Sequence, residues 1–277
     1  MVDVRGGAGH EFLFAPVLRS RLASGGADAP VHGSRAPRRR GDGVTDVVLV
    51  HGAWHGGWCW ARLRPILEAA GNRVWTPTLT GLGELADLAS PDVGLATHVA
   101  DLVRLLAEND LRDAVVVAHS YAGIPVTVLA DRCAERLAAV IYLDSGMPQD
   151  GQNANDVFPG GDDLHRASAD RDGDGWLIPV PFDETFGITS PADLVWVRAN
   201  LTPHPLKTFE DPVRLRFHAP HVRSGAIICM LDGTADSAAA WSVRDVPTVR
   251  IDAGHDVMIT DPELAARAID EVLRRIG

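Results

Sequence analysis

A serine stands where a buried strand turns directly into a helix. The apolar run 114–118 leads into Ser120 two residues later, and a helical pattern covers 122–133. A serine on so tight a turn is held out above the carboxyl edge of a sheet, and the residues two before and two after it must be small. Ala118 and Ala122 meet that requirement. The segment therefore predicts Ser120 as a nucleophile, with the free N–H groups of the next helix favouring a developing anion.

Short apolar runs alternate with helical patterns along most of the chain. This alternation predicts the α/β class, with a mainly parallel sheet and helices on both faces. The predicted strands are 47–50, 73–75, 114–118, 138–143, 226–231 and 248–251. The predicted helices cover 58–70, 95–109, 122–133 and 262–276, with a shorter helical patch at 191–200.

Two stretches depart from this alternation. Residues 1–44 are rich in Gly, Ala and Arg and have no apolar period, so we predict a flexible N-terminal extension. Residues 146–222 are rich in Pro, Gly and Asp and too long for an ordinary loop. They predict a cap inserted over an active site, so that 45–277 forms one domain with this insertion.

The composition excludes several classes of protein. A net charge of -11 argues against a nucleic-acid partner, because phosphate binding needs a basic surface. The sequence has no apolar run of about 18 residues and no secretory segment, so we expect no membrane contact and a cytoplasmic location. Cys59, Cys133 and Cys229 are too few and too scattered for a disulfide framework or a zinc site. We therefore expect no metal or cofactor, and buried free thiols.

A serine hydroxyl needs a base, and in this arrangement the expected chain order is Ser, acid, His. His255 lies just after the last predicted strand, where a loop can bring its imidazole over Ser120. Three aspartates compete for the role of the acid. Asp232 follows the strand 226–231, Asp236 lies four residues later, and Asp144 ends the strand before the insertion.

A glycine-rich segment, His51-Gly-Ala-Trp-His-Gly-Gly-Trp58, follows the first strand. A loop at that place can bring a backbone N–H next to the nucleophile, where it acts with the N–H of the residue after the serine. We predict that the N–H groups of Ala53 and Tyr121 form this oxyanion hole.

The chain resembles the α/β-hydrolase superfamily, and within it the plant-type methylesterase and hydroxynitrile lyase group with its bacterial esterase relatives. The segments that carry the resemblance are 48–60, 76–84, 118–123 and 253–256, and it extends over 45–277. It implies the α/β-hydrolase fold with an inserted cap. In that group a Cys often lies three residues before the catalytic Asp and a Trp about ten after it. Cys229 and Trp241 flank Asp232 in this way, so the resemblance favours Asp232.

These observations predict a serine hydrolase that cleaves carboxylic esters through an acyl-enzyme. The partner is a small-molecule ester with a small or medium, apolar or aromatic acyl group, and a homodimer is the candidate assembly. A pocket for such a group would draw on the aromatic residues Trp54, Trp58, Trp60, Trp176, Phe182, Phe186 and Trp196, although core packing explains most of them equally well.

Other chemistry remains open at this stage. The alternatives are hydroxynitrile-lyase-like or biosynthetic cyclase or lactonase chemistry on the same triad, or a ligand-binding protein with a slow triad. The lyases of the group carry Thr and Lys where this chain has Gly52 and Asp256. An acid in place of the Lys repels an anionic leaving group, so lyase activity is disfavoured.

Overall fold

A parallel sheet is the scaffold of the domain. The computed structural model describes residues 44–158, 161–181, 186–217, 222–231 and 246–277, with the backbone alone at 161–163. Its strands are β1 (Asp46–Val50), β2 (Arg73–Trp75), β3 (Ala114–His119), β4 (Leu137–Leu143), β5 (Leu177–Ile178), β6 (His204–Pro205), β7 (Ser224–Cys229) and β8 (Thr248–Ile251). Within these described residues, six strands pair in parallel in the order β2-β1-β3-β4-β7-β8. The prediction of a mainly parallel sheet is confirmed.

The helices cover both faces of this sheet. They are α1 (Leu63–Ala69), α2 (Leu95–Glu108), α3 (Gly123–Arg132), α4 (Ala154–Val157), α5 (Gly161–Asp172), α6 (Pro191–Asn200), α7 (Lys207–Glu210), α8 (Val257–Thr260) and α9 (Pro262–Ile276). Short 3-10 helices occupy Gly57–Trp60, Gly83–Leu88, Ser120–Ala122 and Ala134–Arg136.

Alternation along the strands assigns side chains to two cores. Val116 of β3 packs in the core that includes α2 and α3, whereas its neighbours Val115 and Val117 pack in the core that includes α1 and α9. All six residues of β3 are buried, which explains why the strand reads as an unbroken apolar run. The centre of the sheet is therefore packed on both faces, and Ser120 follows the end of β3.

The last helix begins as the sequence predicts. Pro262 occupies its first turn, where a missing N–H costs nothing, and the Asp261 carboxylate accepts a hydrogen bond from the Leu264 N–H at 2.9 Å. This helix packs against β7 and β8 and fixes the edge of the sheet from which the His255 loop departs.

The predicted insertion falls between β4 and β7, which are neighbours in the sheet. Residues 146–222, called here the inserted segment, contain α4 to α7 and the antiparallel pair β5–β6 in their described part. Its role as a cap stays a prediction. The predicted extension 1–44 lies outside the described residues except for Val44. No helix in the described part of the chain is long and apolar enough to cross a bilayer.

Candidate active site

Ser120 occupies a strained backbone position at the end of β3. Its φ of 53° lies in the left-handed region that favours glycine, and such strain concentrates at functional sites. The residue begins the 3-10 turn that leads into α3, as the strand–serine–helix pattern predicts. Its carbonyl accepts a hydrogen bond from the Ser145 hydroxyl, which braces the turn from the end of β4.

His255 meets a carboxylate at its Nδ1 atom. This nitrogen lies 2.6 Å from Oδ2 of Asp144, whose side chain is buried, while the His255 side chain is 17% exposed. With Nδ1 donating to the carboxylate, a neutral imidazole carries its lone pair on Nε2. That is the protonation state that a general base for a serine requires.

Asp144 is itself held by the sheet. Its Oδ1 atom accepts the Cys229 N–H at 3.1 Å, and its own N–H donates to the Ile227 carbonyl of β7 at 2.7 Å. Its φ of 43° turns the chain sharply at the end of β4. Both carboxylate oxygens are therefore engaged, one with β7 and one with His255.

The aspartate that the structure brings to His255 is thus the third of the three sequence candidates. Asp232, which the resemblance favoured, and Asp236 both lie outside the described residues. The carboxyl ends of β4 and β7 are adjacent, so an acid after either strand starts near the same place. In the described residues, the carboxylate that contacts His255 is the one that follows β4.

The glycine-rich loop after β1 lies against Ser120. A Cβ added to Gly52 would come within 2.9 Å of Ser120 Cβ, so a glycine is needed for this approach. The next N–H is that of Ala53, which donates no hydrogen bond within the described residues. The Trp54 N–H, by contrast, donates to His204 Nδ1 at 3.2 Å. This arrangement agrees with Ala53, rather than Trp54, as the loop's oxyanion donor.

His51 fixes the peptide that carries the Ala53 N–H. Its Nε2 accepts the Leu79 N–H at 3.0 Å, so the proton is on Nδ1, which donates to the Gly52 carbonyl at 2.9 Å. Burial lowers the pKa of His51 to about 3, which keeps the ring neutral at working pH.

A second histidine–aspartate pair lies beside the first. Nε2 of His55 is 3.0 Å from Oδ2 of Asp256, and both side chains are buried. Burial raises the pKa of Asp256, but the attraction of His55, its hydrogen bond and the attraction of His119 and His255 together outweigh that effect, and the pKa lies below its ordinary value. His119 donates from Nε2 to the His255 carbonyl at 3.0 Å, and burial holds its pKa well below the ordinary value.

His119, His255 and Asp256 each place one potential ligand atom within 4.8 Å of the others. Hydrogen bonds already occupy His119 Nε2 and His255 Nδ1, so one of the two nitrogens of each ring is already engaged. We assign no metal or cofactor to this cluster.

Comparison with known proteins identifies the family of this chain. A family model described as "Alpha/beta hydrolase family" matches residues 47–268. The chain belongs to this family. A carbendazim hydrolyzing esterase of Nocardioides sp. is 33% identical over 248 residues, which cover 81% of this chain and 98% of that protein.

Two further relatives of this alpha/beta hydrolase span most of its length. Salicylic acid-binding protein 2 of Nicotiana tabacum is 24% identical over 262 residues, covering 82% of this chain and 96% of that one. The structure of an extracellular alpha/beta hydrolase from a Paenibacillus species has a TM-score of 0.72 at 20% identity, covering 82% and 98% of the two chains. The resemblance stated from the motifs is confirmed.

Aromatic rings of the inserted segment pack against Trp54 in the glycine-rich loop 51–58 of this hydrolase. This loop is called the oxyanion loop for the role predicted for Ala53. The Trp54 ring lies 6.3 Å from both Phe186 and Phe209, and Phe209 stacks on Tyr121 at 5.1 Å. Trp60 is fully buried in the core, which is the alternative the sequence left open for these aromatic residues. Phe182 lies outside the described residues.

Tyr121 is anchored through its side chain. Its hydroxyl hydrogen-bonds His98 Nδ1 at 2.9 Å, and His98 Nε2 lies 2.9 Å from the Thr80 carbonyl. Burial raises the pKa of Tyr121 and lowers that of His98 to about 4, so both stay neutral at working pH. The sequence analysis missed His98 and His204, because their partners are far away in the chain and no local pattern marks them.

Proposed function

We propose that this alpha/beta hydrolase cleaves carboxylic esters, with Ser120 as nucleophile, His255 as general base and Asp144 as the acid that orients the imidazole. The observation that carries this proposal is the 2.6 Å contact between His255 Nδ1 and Asp144 Oδ2, together with the strained backbone of Ser120 at the end of β3. The relative named as an esterase, 33% identical across most of both chains, supports the same reaction class.

The first half of the reaction forms an acyl-enzyme. Ser120 Oγ attacks the ester carbonyl while His255 Nε2 takes its proton, and the imidazolium is stabilised by Asp144. The Ala53 and Tyr121 N–H groups stabilise the tetrahedral oxyanion. His255 then gives its proton to the leaving alcohol as the C–O bond breaks.

The second half releases the acid. His255 removes a proton from water, whose oxygen attacks the acyl carbonyl, and the same N–H groups hold the second oxyanion. Collapse of this intermediate returns the proton to Ser120 and frees the carboxylic acid, which then loses its proton to solvent. The rings of Trp54, Phe186 and Phe209 next to the loop support a small or medium apolar or aromatic acyl group.

A fluorophosphonate probe and an ester panel test this proposal. Wild-type protein should be labelled at Ser120 within minutes and should hydrolyse aryl esters, whereas Ser120→Ala should lose both properties and keep its fold. Ser168→Ala, on α5, is the matched control and should behave as wild type. Ester hydrolysis retained by Ser120→Ala would overturn the assignment.

The same experiment separates the alternatives. The name of the Nicotiana relative indicates ligand binding by that protein. A ligand-binding protein with a slow triad should react only very slowly with the probe. Lyase chemistry predicts cleavage of mandelonitrile in preference to esters, and Asp256 at the position of the lyase Lys argues against it. If the protein is a cyclase or lactonase, we expect activity on the cyclic esters of the panel.

Location and assembly remain predictions. The buried thiols of Cys59 and Cys229 support a reducing, cytoplasmic setting, and Cys133 is half-buried rather than buried as expected. Light scattering on the purified chain tests the predicted homodimer.

A further inference from the structure

Asp256 and His55 have no part in the reaction just proposed, yet they are buried beside its machinery. Asp256 directly follows His255, and His55 lies in the glycine-rich loop that carries Ala53. Their side chains are 0% and 1% exposed. Groups so polar are rarely buried without a partner, and here each is the partner of the other.

The contacts of His55 define its charge. Nδ1 lies 2.7 Å from the Ala53 carbonyl, and Nε2 lies 3.0 Å from the Asp256 carboxylate. A carbonyl oxygen can only accept, so Nδ1 carries a proton. A carboxylate also only accepts, so an ionised Asp256 requires a second proton on Nε2. The ring is then an imidazolium between two acceptors.

The two ends of this pair face different parts of the site. Oδ1 of Asp256 has no hydrogen-bond partner among the described residues, and a carboxylate oxygen of Asp256 lies within 4.8 Å of a ring nitrogen of His255. His55 is not among the residues whose ring or carboxylate atoms meet within that distance, and its ring centre is 6.3 Å from that of His119, which itself is 4.5 Å from that of His255. The negative end is therefore the nearer one to His255.

We propose that His55 and Asp256 form a buried imidazolium–carboxylate pair whose negative end stabilises protonated His255 and whose positive end holds the oxyanion loop through the Ala53 carbonyl. The proposal rests on the proposed esterase function. Both residues are positioning residues, because they act through His255 and Ala53 and touch no reacting atom.

Few other charges face this cluster among the described residues. Asp144 approaches from the end of β4 and His119 from the end of β3, while His51 and Cys59 approach from the side of the oxyanion loop. Burial lowers the pKa of His51 and of His119 and raises the pKa of the Cys59 thiol, so these three stay neutral. Asp144 is the remaining fixed charge and is common to every variant below.

Removing either member of the pair shifts the titration of His255 in opposite directions. Asp256→Asn removes the nearer, negative charge, so the acid limb of the kcat/KM profile moves to lower pH. His55→Gln keeps a donor for Asp256 but removes the positive charge, so that limb moves to higher pH. A charge within about 4–6 Å moves a titration by about 1–3 pH units, so the Asp256→Asn shift should reach at least about half a pH unit, and the opposite His55→Gln shift should be smaller because His55 is the more distant member of the pair.

A role in packing alone does not produce opposite shifts. Shifts in the same direction, or no shift in either variant, overturn the proposal. The double variant His55→Gln/Asp256→Asn restores a neutral hydrogen-bonded pair and should titrate between the two single variants. Loss of ester hydrolysis in wild type, or its retention in Ser120→Ala, refutes the proposed function instead, so the two failures are distinguishable.

A measurement on the wild-type protein needs neither activity nor a stable variant. In ¹⁵N-histidine-labelled protein, both ring nitrogens of His55 should carry a proton from pH 6 to pH 8. The resonances are assigned by their loss in His55→Gln, or through bonds in the wild type if that variant does not fold. A single protonated nitrogen on His55 in this range contradicts the ion pair.

Discussion

The exchange of Asp144 for asparagine isolates the role of the buried carboxylate. In the native site one oxygen accepts the Cys229 N–H and the other accepts His255 Nδ1–H. Asparagine has nearly the same shape but only one acceptor oxygen. We expect that oxygen to accept the Cys229 N–H as before. The amide NH₂ then occupies the position of Oδ2, which in the native structure lies 2.6 Å from His255 Nδ1.

An NH₂ group there donates to Nδ1 and forces the imidazole proton onto Nε2. The ring then has no lone pair with which to take the Ser120 proton. In serine proteases the corresponding change lowers kcat about 10⁴-fold, which is a barrier increase of about 5 kcal/mol. We expect a similar loss for Asp144→Asn, with KM changed little because substrate contacts are untouched.

The assay is steady-state hydrolysis of an aryl ester, with the unfolding midpoint measured on the same samples. Asp232→Asn and Asp236→Asn are matched controls, since they make the same chemical change at the two rival positions and should leave kcat within about twofold. An Asp144→Asn enzyme within tenfold of wild type, alongside a thousandfold loss in Asp232→Asn, would show that our acid assignment is wrong.

Three further predictions follow from contacts at the site. Gly52→Ala should lower kcat about 10- to 100-fold while the protein stays folded, because the new Cβ displaces the oxyanion loop from Ser120; steady-state kinetics with circular dichroism measure it. Tyr121→Phe should cost about 1–3 kcal/mol in urea unfolding, because it leaves the buried His98 Nδ1 without its partner. Burial lowers the pKa of His98 to about 4 and that of His51 to about 3, so the unfolded chain binds these two protons at a higher pH than the folded protein does. The free energy of unfolding should therefore fall as the pH drops below 6.5, down to about pH 4 for His98 and about pH 3 for His51. Urea titrations at pH 7, 5.5 and 4.5 would contradict this if stability were level.

Much of the scaffold could be predicted because its central strands are buried on both faces. The runs at 47–50, 114–118 and 138–143 are short and apolar, and the observed strands differ from the predicted ones by at most two residues at either end. The predicted helix 58–70 is in fact a 3-10 turn at Gly57–Trp60 followed by α1. An apolar period gives the buried face of such a segment but does not distinguish its hydrogen-bonding pattern.

The candidate site could be predicted where its residues belong to local sequence patterns. Ser120 and the glycine-rich loop are local patterns, and the structure brings Gly52 to Ser120 as expected. The acid is different, because β4 and β7 end side by side and the sequence does not show which end supplies the carboxylate. No local sequence pattern predicts the positive φ of Asp144, which turns this residue toward His255. Contacts such as Trp54 with His204, 150 residues apart, are likewise products of the tertiary fold.

Hydrogen bonds join the inserted segment to the oxyanion loop at three points. His204 accepts the Trp54 N–H, the Trp54 indole donates to the Ile178 carbonyl, and the Thr202 N–H donates to the Trp54 carbonyl. Directed evolution of new substrate preferences ordinarily starts by randomising the residues around a binding pocket. Of the three contacts, only the first uses a side chain of the inserted segment, so an exchange of His204 would alter turnover together with selectivity. Libraries that leave His204 fixed should therefore yield a larger fraction of active clones.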